Sequence, residues 1–167
     1  MSLSEQDFQS DDLHPIDIVE HIAEHHQWDF DRVADDQIAM YVEGQWRTYS
    51  ITLAWSDYDE TLRLICTFEM EPPEDKLPKL YDVLNRTNDQ CWTGAFTYWQ
   101  AQRLMVYRYG LVLAGGQMAG SEQINTLISS AVAAAERFYP AFQLVAWGDQ
   151  SPEEAMHVAI AEAYGRA

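Results

Sequence analysis

Cations and cysteines are scarce in this sequence. Its 167 residues include 10 Lys and Arg against 27 Asp and Glu, which gives a formal net charge of −17. Binding to nucleic acid requires Lys and Arg to neutralise phosphates, and anionic lipid headgroups attract the same cations. The charge balance therefore excludes nucleic acid and anionic membranes as direct partners. Two cysteines are also too few for the disulfide framework of a small secreted domain.

Long apolar segments are absent too. No apolar run approaches the roughly 18 residues that a membrane-spanning helix needs, and residues 1–12 lack the basic and apolar regions of a signal peptide. Cys66 and Cys91 each lie among apolar residues, so we interpret them as buried, reduced thiols, with a disulfide or a reactive thiol as the alternative. We expect a cytoplasmic protein with a flexible acidic tail at residues 1–12 and one domain at residues 13–167.

Hydrophobic residues make up 47% of the chain, enough to form a core despite the charge. They recur every three or four positions in four segments, which predicts helices at 15–26, 77–84, 121–139 and 151–163. They alternate with polar residues in five others, which predicts strands at 38–42, 46–55, 61–70, 93–99 and 103–113. The order α-βββ-α-ββ-α-α predicts an α+β fold, with a twisted antiparallel sheet of about five strands and helices packed on one face.

Three local signals mark the ends of these helices. Ser121 is predicted to cap the N-terminus of the third helix. Pro140 is predicted to end or kink that helix, because proline has no N–H to donate. The run Ser151-Pro152-Glu153-Glu154 has the pattern of a capping box, with Ser151 as the N-cap and Pro152 as the first helical residue.

The strand at 46–55 alternates most cleanly. Its apolar residues Tyr49, Ile51, Leu53 and Trp55 point to one face, and its small polar residues point to the other. The aromatic residues of the predicted strands are too many to all face the helices. We therefore predict a partner-binding or dimer surface that is formed by Trp46, Thr48, Ser50, Thr52, Tyr98 and Tyr107. The alternative is that these aromatic residues belong to the core, with scattered exposure.

A histidine pair is the most evident candidate for a metal site. His21 and His25 lie four residues apart on the first predicted helix, a spacing that lets two imidazoles reach one metal ion. The metalloprotease pattern requires Glu directly after the first His, where this sequence has Ile22, and no third ligand is evident. The alternative is that the histidines interact with the dipole at the C-terminal end of a helix. We expect no metal and no cofactor, and keep the His21/His25 pair as the alternative.

No catalytic motif is evident. The acidic clusters at 29–36, 57–60 and 69–75 do not match the calcium-binding EF-hand loop. The glycine-rich segment 115–120 precedes a helix but has no Lys or Arg nearby, so we interpret it as a turn and not as a phosphate site. Cys91 has no evident His partner, and the Gly-x-Ser-x-Gly motif is absent. We therefore expect a protein that is not an enzyme.

Seven segments carry a family resemblance, at residues 15–20, 27–30, 46–49, 66–70, 137–143, 147–148 and 151–155. Together they resemble the YbjN-like family of bacterial sensory transduction regulators, over about residues 13–165. The resemblance implies a fold similar to that of class I type III secretion chaperones, which are small, acidic and usually dimeric. It implies no catalytic residue.

Two functions remain open at this point. The resemblance and the charge favour a non-enzymatic protein-binding regulator or chaperone-like adaptor, which acts as a homodimer on an unidentified protein partner, in sensory or stress regulation. The alternative is a protein that binds a small molecule or a metal ion, through a sheet face or through the His21/His25 pair.

Overall fold

The computed structural model describes residues 14–165, with side chains as far as Ile160. The helices are α1 (Pro15–His26), α2 (Leu77–Asp89), α3 (Ser121–Ala146) and α4 (Pro152–Gly165), with a short 3-10 helix at Glu74–Lys76. The strands are β1 (Asp29–Ala34), β2 (Gln37–Glu43), β3 (Thr48–Ser56), β4 (Thr61–Glu69), β5 (Ala95–Trp99) and β6 (Leu104–Val112). The tail predicted over residues 1–12 lies outside the described residues. Within residues 14–165, no helix is both long enough and apolar enough to cross a bilayer.

All six strands form one antiparallel sheet in the order β1-β2-β3-β4-β6-β5. The predicted α+β fold is confirmed, with six strands where about five were expected. The additional strand is β1, which lies at one edge of the sheet. Most of its side chains are exposed, so apolar residues do not alternate along it and the sequence pattern gives no signal.

The helices pack against one face of the sheet and bury a single core. Every second residue along β2, β3, β4 and β6 points into this core, where it meets the apolar side of α1 or α3. The largest fully buried side chains include Tyr49, Ile51, Leu53, Leu62, Leu64, Phe138 and Phe142. Because burying one such side chain contributes about 1.5–3 kcal/mol, this core holds the two layers together.

Helices α1 and α4 begin as predicted. Pro15 is the first residue of α1, and the Nδ1 atom of His14 accepts a hydrogen bond from the N–H of Ile16 at 3.2 Å. At the start of α4, the Oγ atom of Ser151 accepts a hydrogen bond from the N–H of Glu154 at 3.2 Å. That bond is the N-cap half of the predicted capping box.

Helix α3 differs from the prediction at both ends. Gly120 is its N-cap and Ser121 is already helical, so the predicted Ser121 cap is wrong. The helix also continues through Pro140 to Ala146, so Pro140 does not end it. Proline costs a helix one backbone hydrogen bond, but Ala141 and Phe142 beyond it are fully buried. We attribute the continuation of the helix to this burial.

A carboxylate on α3 holds the turn between β2 and β3. Glu136 accepts hydrogen bonds from the N–H of Gln45 at 2.9 Å and from the hydroxyl of Tyr49 at 2.5 Å. Only glycine fits at Gly44, because a Cβ there would clash with the carboxylate of Glu136 and lie 2.6 Å from Cε2 of Tyr49. Burial, together with the hydrogen bond to Glu136, raises the pKa of Tyr49, so this hydroxyl remains the donor.

The substitution Tyr49→Phe removes this hydroxyl and keeps the ring. A hydrogen bond to a charged group contributes about 1.5–3 kcal/mol, so the free energy of unfolding measured in urea should fall by about 2 kcal/mol. Tyr58→Phe is the matched control because Tyr58 is 99% exposed, and it should change the value by less than about 0.5 kcal/mol. A Tyr49→Phe variant as stable as the wild type would contradict the role given to Glu136.

Arg32 joins the edge strand β1 to helix α1. Its Nη1 atom donates hydrogen bonds to Oδ1 of Asp17 at 2.5 Å and to Oε2 of Glu20 at 3.4 Å. The hydrogen bond from Arg32 holds the pKa of Asp17 below its ordinary value. These three side chains are partly exposed, so solvent screens the interaction.

Asp17→Asn should lower the free energy of unfolding at pH 7 by at most about 1 kcal/mol. The folded-state pKa of Asp17 lies below the unfolded value of 3.8, so the contribution is complete well above pH 3.8 and is lost as the pH falls through the folded-state pKa. Urea denaturation from neutral to acid pH should show the wild type and the variant converging in acid. A difference that persists unchanged at acid pH would contradict this ion pair.

Candidate functional site

One face of the sheet, called the open face here, carries no helix among the described residues. Most of its side chains are exposed or half-buried, although a few, Thr67 and Val106 among them, are buried. On β3, the exposed or half-buried residues Thr48, Ser50 and Thr52 point to the open face, and the buried Tyr49 and Ile51 point to the core. The predicted alternation of this strand is confirmed.

A row of directly paired residues crosses the open face from one edge to the other. In the order β1, β2, β3, β4, β6, β5 it consists of Asp31, Ala39, Thr52, Ile65, Arg108 and Ala95. Only Asp31 and Arg108 in this row are charged. With strands about 4.8 Å apart, these two residues are separated by about 19 Å, and Thr52 lies halfway between them.

The neighbouring row contains residues that the sequence analysis missed. It consists of Asp29, Tyr41, Ser50, Thr67, Val106 and Thr97. Val106 is fully buried although it is not part of the core beneath the helices. The position of Tyr41 on this face could have been predicted from the sequence pattern. Tyr41 lies between the core residues Met40 and Val42 on the strand and so must point away from the core.

Three of the six predicted surface residues, Thr48, Ser50 and Thr52, lie on the open face with exposed or half-buried side chains. Trp46 lies in the turn between β2 and β3, partly exposed, with its ring stacked 6.5 Å from that of Tyr139 on α3. The ring of Trp46 therefore lies toward the helices, at the end of β2 and β3.

The other two predicted residues belong to the opposite side of the sheet. Tyr107 is 2% exposed, its ring contacts Phe96 at 5.0 Å, and its hydroxyl lies 3.2 Å from Oγ1 of Thr93. Tyr98 is half-buried and donates a hydrogen bond to the Met70 carbonyl at 2.7 Å. The expectation that these two residues share a surface with Thr52 is wrong, because the register of β5 and β6 turns them toward the helices.

Arg47, beside Trp46, joins three distant segments. Its Nη1 atom donates to the Glu69 carbonyl at 2.9 Å, and its guanidinium lies 5.7 Å from the ring centre of Phe68 and 5.9 Å from that of Tyr139. Its Nε atom is buried without a hydrogen-bond partner among the described residues. Three of the segments that carry the family resemblance, 46–49, 66–70 and 137–143, therefore meet at this end of the sheet.

A groove of about 520 Å³ lies between β6 and the first half of α3. It is lined by Thr93, Tyr107, Tyr109 and Leu111 on the sheet side and by Gly120, Glu122, Gln123, Thr126, Leu127 and Ser130 on the helix side. Strand β5 pairs with β6 only as far as Arg108. Residues 109–112 of β6 are therefore paired with β4 on one side and, within residues 14–165, with no strand on the other.

His21 and His25 line a second groove, of about 530 Å³, between α1 and the start of α3. The helix that places them four residues apart is confirmed. In the described part of the chain, no group of three or more His, Cys, Asp or Glu side chains is arranged to hold a metal ion. His26 lines the same groove, with Nε2 3.0 Å from Oδ1 of Asn125 and its ring stacked on Trp28. Metal binding by the pair stays a prediction.

Local structure explains two motifs that resemble chemical sites. Gly115 and Gly116 both adopt a φ of 77°, a left-handed conformation that favours glycine, so the turn itself accounts for this glycine pair. Cys66 and Cys91 form no disulfide. Burial raises the pKa of Cys66 to about 12 and raises that of Cys91 as well, which disfavours the reactive thiolate.

Residues 15–144 match the YbjN family, described as "Putative bacterial sensory transduction regulator". The chain belongs to this family, whose description as a regulator is consistent with a non-enzymatic role. The crystal structure of YbjN from E. coli, described as a putative transcription regulator, is similar with a TM-score of 0.53 and 14% identity, over 74% of this chain and 87% of that one. That likeness shows the fold alone. No curated protein matches the chain.

The state of the two cysteines is directly measurable. In denaturant, both thiols should react with Ellman's reagent at once, since the two cysteines form no disulfide. In the native protein at pH 8, Cys66 should react at least about a hundred times more slowly than a free thiol, because it is buried and protonated. Rapid native labelling of Cys66, identified by peptide mapping, would contradict its placement in the core.

Proposed function

We propose that this protein is a non-enzymatic regulator that acts by binding protein, and that it is a homodimer joined through its open sheet face. The observation that carries the proposal is the order of charges along the central row, with Asp31 on β1, Arg108 on β6 and uncharged residues between them. A two-fold symmetric interface must be complementary to itself. This row has that property.

A two-fold axis that runs parallel to the strands, over Thr52, sets each charge of the row opposite its counterion. Asp31 and Arg108 each lie two strands from Thr52, on opposite sides of it. Such an axis therefore brings Asp31 of one copy to Arg108 of the other, and does so twice. It also sets Ala39 of one copy against Ile65 of the other, an apolar contact at the middle of the interface.

The side chains around this axis suit contact between two sheets. Ala39, Ser50 and Thr52 are small, and small residues let two sheet faces approach closely. Arg108 is exposed and forms no ion pair within the described residues, although carboxylates greatly outnumber cations in the chain. A carboxylate from a second copy supplies the missing counterion.

The charge of the protein indicates the chemistry of its other partners, and its thiols indicate where it works. The net charge of −17 favours partner segments that carry basic residues. We propose that the protein works in the cytoplasm, where thiols are kept reduced, because Cys66 and Cys91 are not bonded to each other.

Exchanging the two charges tests the dimer. Light scattering during gel filtration should give the mass of two chains for the wild type. Asp31→Arg and Arg108→Glu should each shift the protein toward monomer by at least tenfold in dissociation constant, because each change brings like charges together twice. An equal mixture of the two variants should recover the dimer, since both contacts then join opposite charges.

Arg86→Glu is the matched control, because Arg86 is an exposed arginine on α2, away from the open face. This variant should remain dimeric. A monomeric wild type, or a mixture of Asp31→Arg and Arg108→Glu chains that stays monomeric, would overturn the proposed interface.

Binding of a metal ion or a small molecule is the second candidate. It is favoured by one observation, that the imidazoles of His21 and His25 line the same groove. If it holds, isothermal titration with zinc should give one site per chain, and the double variant His21→Ala/His25→Ala should have none. Equal zinc uptake by the two proteins would rule out the pair as the site.

A further inference from the structure

We infer that the groove between β6 and α3 receives an extended segment of a partner protein, which adds as a strand to the free edge of β6 at residues 109–112. This inference names a partner surface for the proposed regulator and so rests on that function. It uses a different side of the molecule from the proposed dimer interface.

The free edge exists because β5 is shorter than β6. Gly94, the residue before β5, lies so close to β6 that a Cβ would be 2.5 Å from Cζ of Tyr107 and 2.8 Å from the Arg108 carbonyl oxygen. The chain therefore joins the edge of the sheet at Gly94. The residues before Gly94 do not pair with β6. An edge with unpaired N–H and C=O groups is the usual site at which an extended peptide adds to a sheet.

The groove receives one face of such a strand. Side chains of an added strand alternate between the two faces of the sheet, so every second one points toward α3. There it meets Tyr109 and Leu111 on β6 and Leu127 on α3, which are half-buried and form apolar walls. A small molecule could fill this groove but would leave the backbone of 109–112 unpaired, so the free edge favours a peptide.

Charge and exposure define the chemistry of the peptide. Glu122, in the first turn of α3, is the only charged residue among those that line the groove. A Lys or Arg on the bound segment would neutralise it. Trp92 is 96% exposed and directly precedes Thr93 at the end of the groove, where it offers apolar area to the same segment. The fitting partner is a strand with alternating apolar residues and one basic residue.

Selection of a displayed library of random twelve-residue peptides against the purified full chain tests this inference. Enriched sequences should alternate apolar residues with a period of two and carry Lys or Arg at one position. A synthetic peptide of the enriched sequence should bind, as measured by fluorescence anisotropy, and should slow amide hydrogen exchange at residues 109–112.

Two pairs of variants locate the bound peptide. Thr126→Arg fills the groove and places a cation four residues from Glu122, so it should weaken binding at least tenfold. Ser129→Arg adds the same side chain at an exposed position of α3 that does not line the groove, and should leave binding unchanged. Glu122→Gln should weaken binding about threefold or more. Glu153→Gln, in the first turn of α4, should not.

Several results would overturn the inference. These are a selection that enriches nothing, binding that Thr126→Arg does not weaken, and binding without protection of 109–112, which would indicate another surface. A peptide that converts the dimer into monomers would contradict the assignment of peptide and dimer contacts to different sides of the molecule. The dimer itself is measured separately by light scattering, so failure here leaves the proposed interface intact, and failure of the dimer leaves peptide binding measurable.

Discussion

Helices cover only one face of the sheet, and the other features of the molecule depend on this. Along an antiparallel strand every second side chain points to the same side, so a layer of helices that covers Tyr49 and Ile51 must leave Ser50 and Thr52 uncovered. The covered face supplies the apolar burial that stabilises the fold. The residues of the open face do not have to supply that burial, so they can serve to bind a partner. In the central row of this face, Asp31 and Arg108 are the charged residues, and small or apolar residues lie between them.

The turn between β2 and β3 fixes how the two layers sit on each other. Glu136 binds this turn from α3, and Arg47 within the turn packs on the rings of Phe68 and Tyr139. These contacts hold the ends of β2 and β3 against the helix, which keeps the central strands in register with the core. Three segments that are far apart in the sequence, 46–49, 66–70 and 137–143, therefore meet here.

Helices and strands with a clear hydrophobic period could be predicted from the sequence. Features that depend on pairing between strands mostly could not. Helix α1, the alternation of β3 and the Ser151 cap follow from local pattern and were predicted. Strand β1 has no apolar alternation and was missed. Pro140 was predicted to end or kink α3; the helix does not end there, and we attribute its continuation to the burial of Ala141 and Phe142.

The surface was harder to predict than the fold, for the same physical reason. Which residues share a face of the sheet depends on the register between strands, and register is not a local property. Thr52 was assigned correctly from its own strand, whereas Tyr107 was assigned to the wrong face. The row that joins Asp31 to Arg108 spans five strands and emerges only when all their registers are known. The groove beside β6 likewise depends on where β5 stops pairing.

The open face as an interface is the central claim, and hydroxyl-radical footprinting tests it most directly. Tyr41 on the open face and Tyr81 on α2 are 52% and 46% exposed within one chain, so they should be oxidised at similar rates in a monomer. In the dimer, Tyr41 should be oxidised several times more slowly than Tyr81. Equal rates for the two tyrosines, at a concentration where light scattering shows a dimer, would contradict the claim.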